Sequence, residues 1–458
     1  MAKILFSLFS NINWLDNLTI DPFYEGFIDS LVKHGNEVIV LRTNDFLSSI
    51  NDNSLFNYIN GKHLKDAINK FDPDFIIAAN HNIPEIILRN TDCPVLIWTA
   101  DSPVWYSSKY YIKKNIKRYK FFHHGWDNIH VNACQEMFNA TADQNYCIGY
   151  ATTAKAKTMP IDANIKFVGT IGYPHYMVDY LKHSCNKEKF ENLRILYEHI
   201  KKVPFGHVEK DFEDTVPKVS DYFYTLTSNN RIKTLDALVS LGLKVHGYPH
   251  NFFNVAPYSM DLAFCFDYTP VTLMRETEKV FNSAKIGVNL YHAQAVTGFS
   301  WRVADIMASN ACLISPNKAD LAKFSPYIKM PTFETPEEAR ELCQKLLKDE
   351  IWRKDIVAAS QQAIEEHGRF EHMFKIIEGV MGTNLLNNPI DSKKEYLTFL
   401  KFENFVKKTH SLPLIALQQI QKTTLIRKAA IYILKLIPKP VLRKTYYFLL
   451  SIKDHVAK

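Results

Sequence analysis

Short apolar runs recur along the chain, separated by stretches with helical spacing. KILFSLF (3–9), NEVIVLR (36–42), DFIIAAN (74–80), PVLIWTAD (94–101) and YKFFHHG (119–125) read as strands. PFYEGFIDSLVKH (22–34) and HLKDAINKF (63–71) read as helices between them, and IKFVGTIG (165–172) is a further strand. The runs are continuously apolar, not alternating, which indicates parallel strands buried on both faces. A charged, helical stretch at 174–218 interrupts this rhythm, which then restarts. DYFYTLT (221–227) predicts a strand, NNRIKTLDALVSLG (229–242) a helix stopped by glycine, and LKVHGYP (243–249) the next strand. RETEKVFNSA (275–284) follows as a helix and KIGVNLYH (285–292) as a strand; the stretch 297–315 reads as loop, helix and strand. Two charged helices, PEEARELCQKLLKD (336–349) and IWRKDIVAASQQAIEEHG (351–368), close the pattern. This is α/β architecture with two tandem Rossmann-like domains. Residues 1–164 form the first and 165–382 the second, with a helical insert at 174–218; a basic helical tail occupies 383–458. Ligands of such sheets bind beyond the carboxyl ends of the strands.

Charge separates the tail from the body. Residues 393–458 hold 14 Lys or Arg against three acids, a net of +11; the whole chain is +7, so residues 1–392 carry −4. In TTLIRKAAIYILKLIPKP (423–440), Lys428, Lys435 and Lys439 share a narrow helical arc, opposite Leu425, Ile426, Ile433 and Leu436. Cations beside apolar faces describe a helix lying on an anionic membrane, here the inner face of the cell membrane. Docking on the body, or an oligomer contact, is the other use of such a helix. The acidic body argues against nucleic acid as the partner. The seven cysteines form no C-x-x-C pair and most sit in apolar runs, as reduced thiols of a cytoplasmic protein do. No signal peptide is evident, and no run of about 18 apolar residues spans a membrane.

Several chemistries lack their motifs. The chain has no Walker lysine motif and no G-x-G-x-x-G, which argues against an ATPase or a dehydrogenase, and no H-E-x-x-H or Cys/His cluster to hold a metal. DPD at 72–74 precedes its strand and reads as a turn, so no metal site is expected. The informative stretch is TGFSWRVADIMASNACLIS (297–315). A helix beginning near Ser300 after a parallel strand offers free N–H groups to phosphate. Gly298 lets the backbone approach an anion. Arg302 can bind phosphate oxygens, and Asp305, one turn along, can accept ribose hydroxyls. The alternative is an ion pair between the two. Arg231, at the expected start of helix 229–242, is a second phosphate contact, with a solvated helix residue as the alternative. HGYP, with Gly247 and Tyr248, ends a strand beside the cleft and would bracket the base, with a plain loop as the alternative.

This stretch resembles a motif of GT-B glycosyltransferases, E-G-F-G-x-x-x-x-E-A-M-A-x-G. Gly298–Phe299 fall on its glycine and phenylalanine, Asp305 on its second glutamate, and IMASN (306–310) on its A-M-A-x-G. FNSAKIGVNLYH (281–292), FVGTIG and LKVHGYP are similar to the CgeB-type branch of these bacterial enzymes. The first family glutamate falls on Thr297, which cannot act as a carboxylate, and the glycine on Asn310. The resemblance implies a metal-independent transferase with no cofactor, using a nucleotide-diphosphate sugar as co-substrate. Its second unit, through Gly298, Phe299, Ser300, Arg302 and Asp305, would hold the donor. The acceptor would be a cell-surface glycan precursor or a lipid-linked molecule. A non-catalytic nucleotide- or glycan-binding scaffold is the alternative. The catalytic base belongs at a strand end of the first unit. Asp101 in WTADSP resembles the D-x-P of the CgeB-type branch, with an N-cap or turn aspartate as the alternative; His81 competes, with His123 and His124 as further candidates in a run that otherwise reads as a plain strand end.

Overall fold

A computed structural model of the chain describes residues 1–9, 20–43, 61–99, 101, 103, 106, 109–124, 128–171, 191, 195, 219–247, 255–256, 258–267, 271, 274–295, 297–390 and 396–400. The tail beyond residue 400, and the 174–218 segment apart from Glu191 and Ile195, lie outside the described residues. The first unit carries β1 (Lys3–Leu8), α1 (Pro22–Lys33), β2 (Glu37–Arg42), α2 (Gly61–Phe71), β3 (Phe75–Ala79), α3 (Glu85–Leu88) and β4 (Val95–Thr99). It continues with α4 (Lys109–Lys114), β5 (Tyr119–His123), α5 (Asn128–Phe138) and β6 (Asn145–Cys147). The second carries β7 (Ala163–Val168), α6 (Val219–Leu238), β8 (Leu243–His246), α7 (Met260–Ala263), β9 (Phe266–Asp267), α8 (Met274–Asn282) and β10 (Ala284–Val288). Then come α9 (Arg302–Met307), β11 (Cys312–Pro316), β12 (Thr332–Phe333), α10 (Pro336–Lys348), α11 (Glu350–His367), α12 (Phe370–Met381) and β13 (Leu397–Phe399).

All strand pairs are parallel, in two sheets ordered β13-β2-β1-β3-β4-β5-β6 and β12-β11-β10-β7-β8-β9. The expected α/β architecture with two Rossmann-like units is therefore observed. Strands β1, β3 and β4 are buried along nearly their whole length because helices cover both faces. In the second unit α9 lies close against β10: a Cβ at Gly287 would come within 2.6 Å of Ile306. Among the described residues, no helix is long and apolar enough to cross a membrane, and the six cysteines are unpaired.

Two sequence expectations are corrected. Residues 221–227 are not a strand; they open the single helix α6, which runs to Leu238 and ends, after a 3-10 turn, at Gly242 with φ +85°. The run rich in Tyr, Phe and Thr mimics a buried strand. Its hydroxyls are satisfied within the helix instead, Thr227 Oγ1 donating to the Phe223 carbonyl at 2.6 Å and Ser228 Oγ to that of Tyr224 at 2.8 Å. The second correction concerns residues 370–400, which return to the first unit. Phe370, Met373, Phe374 and Ile377 of α12 pack with Phe6, Phe27 and Trp98, and β13 adds an edge strand beside β2. The boundary expected at residue 382 thus falls in the wrong place: the chain crosses back at about Gly368, where the Thr152 N–H donates to the Gly368 carbonyl at 2.9 Å.

Candidate active site

A cleft opens where the carboxyl ends of the two sheets face each other. The second unit contributes Gly169 and Thr170 after β7, Tyr291, His292 and Gln294 after β10, and Gly298–Arg302 leading into α9. From the first unit come Thr99 and Asp101 after β4, His124 after β5, His130 on α5 and Tyr150 after β6. Strands β7 and β10 are the neighbours at which the second sheet's order reverses, the place where α/β sheets gather ligands.

Two guanidiniums dominate the second-unit wall. Arg231 reaches the cleft from the middle of α6, not from a helix start as expected. Its Nε and Nη2 donate to the Leu290 carbonyl at 3.2 and 2.9 Å, and its Nη1 donates to that of Thr170. These bonds fix its plane without neutralising it. Burial, and then the charge of Arg302, push its pKa down to about 9. Arg302 begins α9 and makes no hydrogen bond among the described residues. Burial lowers its pKa too, opposed by Asp305. His292 beside them is held neutral: burial, then Arg231, push its pKa to about 3. The wall is therefore electropositive, with two cations in mutual repulsion.

Asp305 does not line this cleft. It is 3% exposed and accepts the Thr152 hydroxyl at 2.6 Å. Burial raises its pKa to about 6, against the opposing effects of Thr152 and Arg302. The ribose role expected of it is not supported by this placement, because Thr152 occupies its carboxylate behind the helix. It sits instead where the chain crosses between the units. There Arg369 Nη1 donates to the carbonyls of Thr152 and Ala154 at 2.9 and 2.6 Å.

The loop before α9 is built for position. Gly298 and Phe299 are buried, and Phe299 stacks on Tyr150 with ring centroids 4.3 Å apart. Ser300 Oγ donates to Asn289 Oδ1 at 2.7 Å, and the Asn289 amide donates to Ser315 Oγ at 3.0 Å, tying the loop to the ends of β10 and β11. Trp301 stacks on Phe23 of α1 at 4.5 Å with the rings 6° from parallel. That contact carries the first turn of α9 onto the first unit.

On the opposite wall Asp101 is held by three hydrogen bonds. Asn80 Nδ2 donates to its Oδ2 at 2.7 Å, its own N–H donates to Asn80 Oδ1 at 2.8 Å, and Gln294 Nε2 crosses the cleft to its Oδ1 at 2.6 Å. Asn80 adopts a left-handed conformation, φ +51°, which asparagine tolerates and which turns its amide toward Asp101. His81, the competing base, lies elsewhere. It is fully buried between Tyr106 and Tyr119 in the core on the other face of the sheet. His123 bridges Thr99 and Asn145 within the sheet. His124 does line the cleft, stacked on Tyr150 at 5.0 Å; burial lowers its pKa to about 3, so it is neutral at pH 7. Gly247 follows β8 and is not among the lining residues, and Tyr248 lies outside the described residues.

Sequence reasoning missed His292, Gln294 and Trp301. The histidine had a signal, since it ends the run KIGVNLYH at a strand's carboxyl end. Gln294 and Trp301 had none, because each is defined by a partner in the other unit.

Residues 232–378 match a family described as glycosyl transferase-like. That span runs from α6 to α12 and includes Arg302 but stops one residue short of Arg231. No curated protein matches the chain. Among solved structures, sucrose-phosphate synthase from Thermosynechococcus elongatus is similar at a TM-score of 0.50 and 10% identity, over 82% of this chain and 98% of that one. A glycosyltransferase from Rickettsia africae ESF-5 is similar at 0.46 and 12% identity, over 84% and 100%. The β-glucosyltransferase of T4 phage is similar at 0.46 and 11%, over 83% and 100%. The likeness to the synthase, together with the two parallel sheets, shows the GT-B fold.

The buried Asp305 makes a stability prediction. Its carboxyl titrates near 6 in the folded chain against 3.8 when unperturbed. Between those values the folded state holds the extra proton, so this group's contribution to stability falls as pH rises. Asp305→Asn keeps an acceptor for Thr152 and has no charge to bury. The variant should gain on the wild type between about pH 4 and pH 7, by up to ~3 kcal/mol. Asp21 shifts in the same direction but is common to both proteins and cancels. Denaturant melts across that range test this; parallel stability profiles would contradict it.

Proposed function

We propose that the chain transfers a sugar from a nucleotide-diphosphate donor to a glycan or lipid-linked acceptor at the membrane. The observation that carries this reading is the unpaired guanidinium of Arg302 beside Arg231 in the interdomain cleft. A diphosphate supplies the charge that this wall lacks, and guanidiniums match its oxygens in geometry. The family match over the second unit supports the same substrate class.

In the reaction the acceptor hydroxyl oxygen bonds to the anomeric carbon, and the bond from that carbon to the diphosphate oxygen breaks. The diphosphate leaves with the electron pair. Charge develops on it opposite Arg231 and Arg302, which stabilise it without needing a metal ion. Asp101 takes the acceptor proton. Each of its oxygens accepts one amide hydrogen bond, which leaves a further lone pair for a proton. Gln294 reaches it from the donor-side unit, so the base is set in place only when the units are closed. Closure also keeps out water, which would compete with the acceptor. The basic tail, outside the described residues, supports attachment at the inner face of the membrane through its charge and apolar faces. Thr297, standing where the family has a glutamate, favours one rival, a binding protein that has lost turnover.

Arg302→Ala should weaken binding of a nucleoside diphosphate by roughly 1.5–3 kcal/mol, the range for a hydrogen bond to a charged group. It should not lower the melting temperature of the unliganded protein, because it removes a repelled cation and leaves no described partner unpaired. Calorimetry that finds unchanged affinity in the folded variant would overturn the donor site. Asp101→Asn should lower kcat more than about tenfold with donor affinity kept. Full activity in that variant would remove Asp101 as the base, and a wild type that binds donor yet never turns it over would establish the binding-only rival.

A further inference from the structure

Residues 102–126 contain six Lys or Arg and no Asp or Glu, within a body that is otherwise acidic. Two of the six are occupied by the fold. Arg118 donates to the carbonyls of Cys93 and Leu88 at 2.7 and 2.6 Å and to Thr91 Oγ1 at 2.8 Å. Lys120 Nζ donates to the Asp143 carbonyl at 3.3 Å and lies over the Tyr146 ring. The other four, Lys109, Lys113, Lys114 and Lys117, are exposed and enter no salt bridge among the described residues. Tyr110 stands among them at 80% exposure, the highest of the large apolar side chains described.

The segment is anchored from behind. Ile112 is buried, and the half-buried Tyr111 donates its hydroxyl to the Leu88 carbonyl at 2.8 Å. Lys113 and Lys114 lie three and four residues beyond Tyr110 on α4, so all three share one helix face. Nothing described covers that face. An aromatic ring with a polar tip, ringed by unpaired lysines, has the amphipathic character of groups that sit at a bilayer interface. An extended nucleic acid would instead meet the acidic remainder of the body. Tyr111 and Arg118 tie the patch to the Leu88 and Cys93 carbonyls just ahead of β4, so it lies toward the amino ends of the strands.

We propose that this face docks on an anionic lipid bilayer, with Tyr110 at headgroup level and the four lysines against lipid phosphates. The surface is separate from the basic tail. It deepens the membrane-proximal reading above and rests on it only for its purpose, since vesicle binding and nucleotide binding are measured independently.

The test uses the full chain in sedimentation with phosphatidylcholine vesicles, with and without phosphatidylserine. The wild type should bind the anionic vesicles and ignore the neutral ones, and its binding should weaken as salt rises. Replacing Lys109, Lys113, Lys114 and Lys117 together by Glu should cut vesicle affinity at least about 100-fold, since each basic residue near such a surface contributes about fivefold. The fourfold Ala variant should show a smaller loss in the same direction. Tyr110→Ser should cost roughly tenfold while leaving the salt dependence as it was. All three variants should keep wild-type nucleotide affinity, which reports that they are folded. Wild-type vesicle binding in both lysine variants would overturn the proposal and leave any attachment to the tail. So would wild-type binding to a soluble polyphosphate as tight as to vesicles, if the lysine variants lost both and Tyr110→Ser neither.

Discussion

Two like charges held half-buried in one cleft are the constraint on which this molecule turns. Burial lowers the pKa of both guanidiniums, and the charge of Arg302 lowers that of Arg231 further. Left to themselves such groups would move apart or reach solvent. The fold prevents that by different means for each. Arg231 is tied to two backbone carbonyls, at the ends of β7 and β10. Arg302 is fixed by its backbone, because α9 is pressed against β10 through the gap left at Gly287 and its first turn is pinned by Trp301 on Phe23. Asp305 offsets part of the charge from behind the helix, without entering the cleft. The arrangement is costly without an anion and favourable with one, which is how a site gains affinity from preorganisation.

The same contacts hold the two units in register. The chain passes outward near Thr152 and returns at Gly368, and the two crossings bond to each other directly. Arg369 adds two bonds to the outward segment, and Thr152 links it to Asp305 on α9. Glu278 clasps the following residues, accepting from the Lys155 N–H at 3.0 Å and pairing with Lys157 at 2.5 Å. Further along the interface Glu25 of α1 accepts the Met274 N–H at 2.8 Å, and Gln294 meets Asp101 across the cleft. The helix that presents Arg302 is thus bonded to the interdomain crossing itself. Relative motion of the units and the position of Arg302 are coupled through a few named bonds.

Much of this was legible in the sequence, for physical reasons. Apolar runs such as DFIIAAN and PVLIWTAD, too short for helices and bounded by turn residues, read as strands covered on both faces, and they are. Arg302, Ser300 and Gly298 follow a parallel strand, where topology places ligands, and Asp101 ends another. Errors arose where the local pattern was ambiguous or the deciding partner was remote. DYFYTLT has the composition of a strand, and its helical state depends on hydroxyls that bond back along the helix. His81 follows β3 by two residues, but a left-handed backbone, φ +56°, goes with its burial in the core on the far face. Asp305 was read as a ligand group because spacing shows its face of the helix and not the threonine 153 residues earlier that claims it. The return of α12 and β13 to the first unit could not be read from periodicity, since pairing across the whole chain leaves no local mark.

If uncompensated charge in the cleft is what the fold maintains, an anion should stabilise it in proportion to the charge delivered there. The most direct measurement is the melting temperature of the full chain titrated with a nucleoside, its monophosphate and its diphosphate at one ionic strength. The account predicts almost no change with the nucleoside, a small rise with the monophosphate and a large saturable rise with the diphosphate, by mass action on the folded state. Equal shifts with all three, or none with the diphosphate, would contradict it.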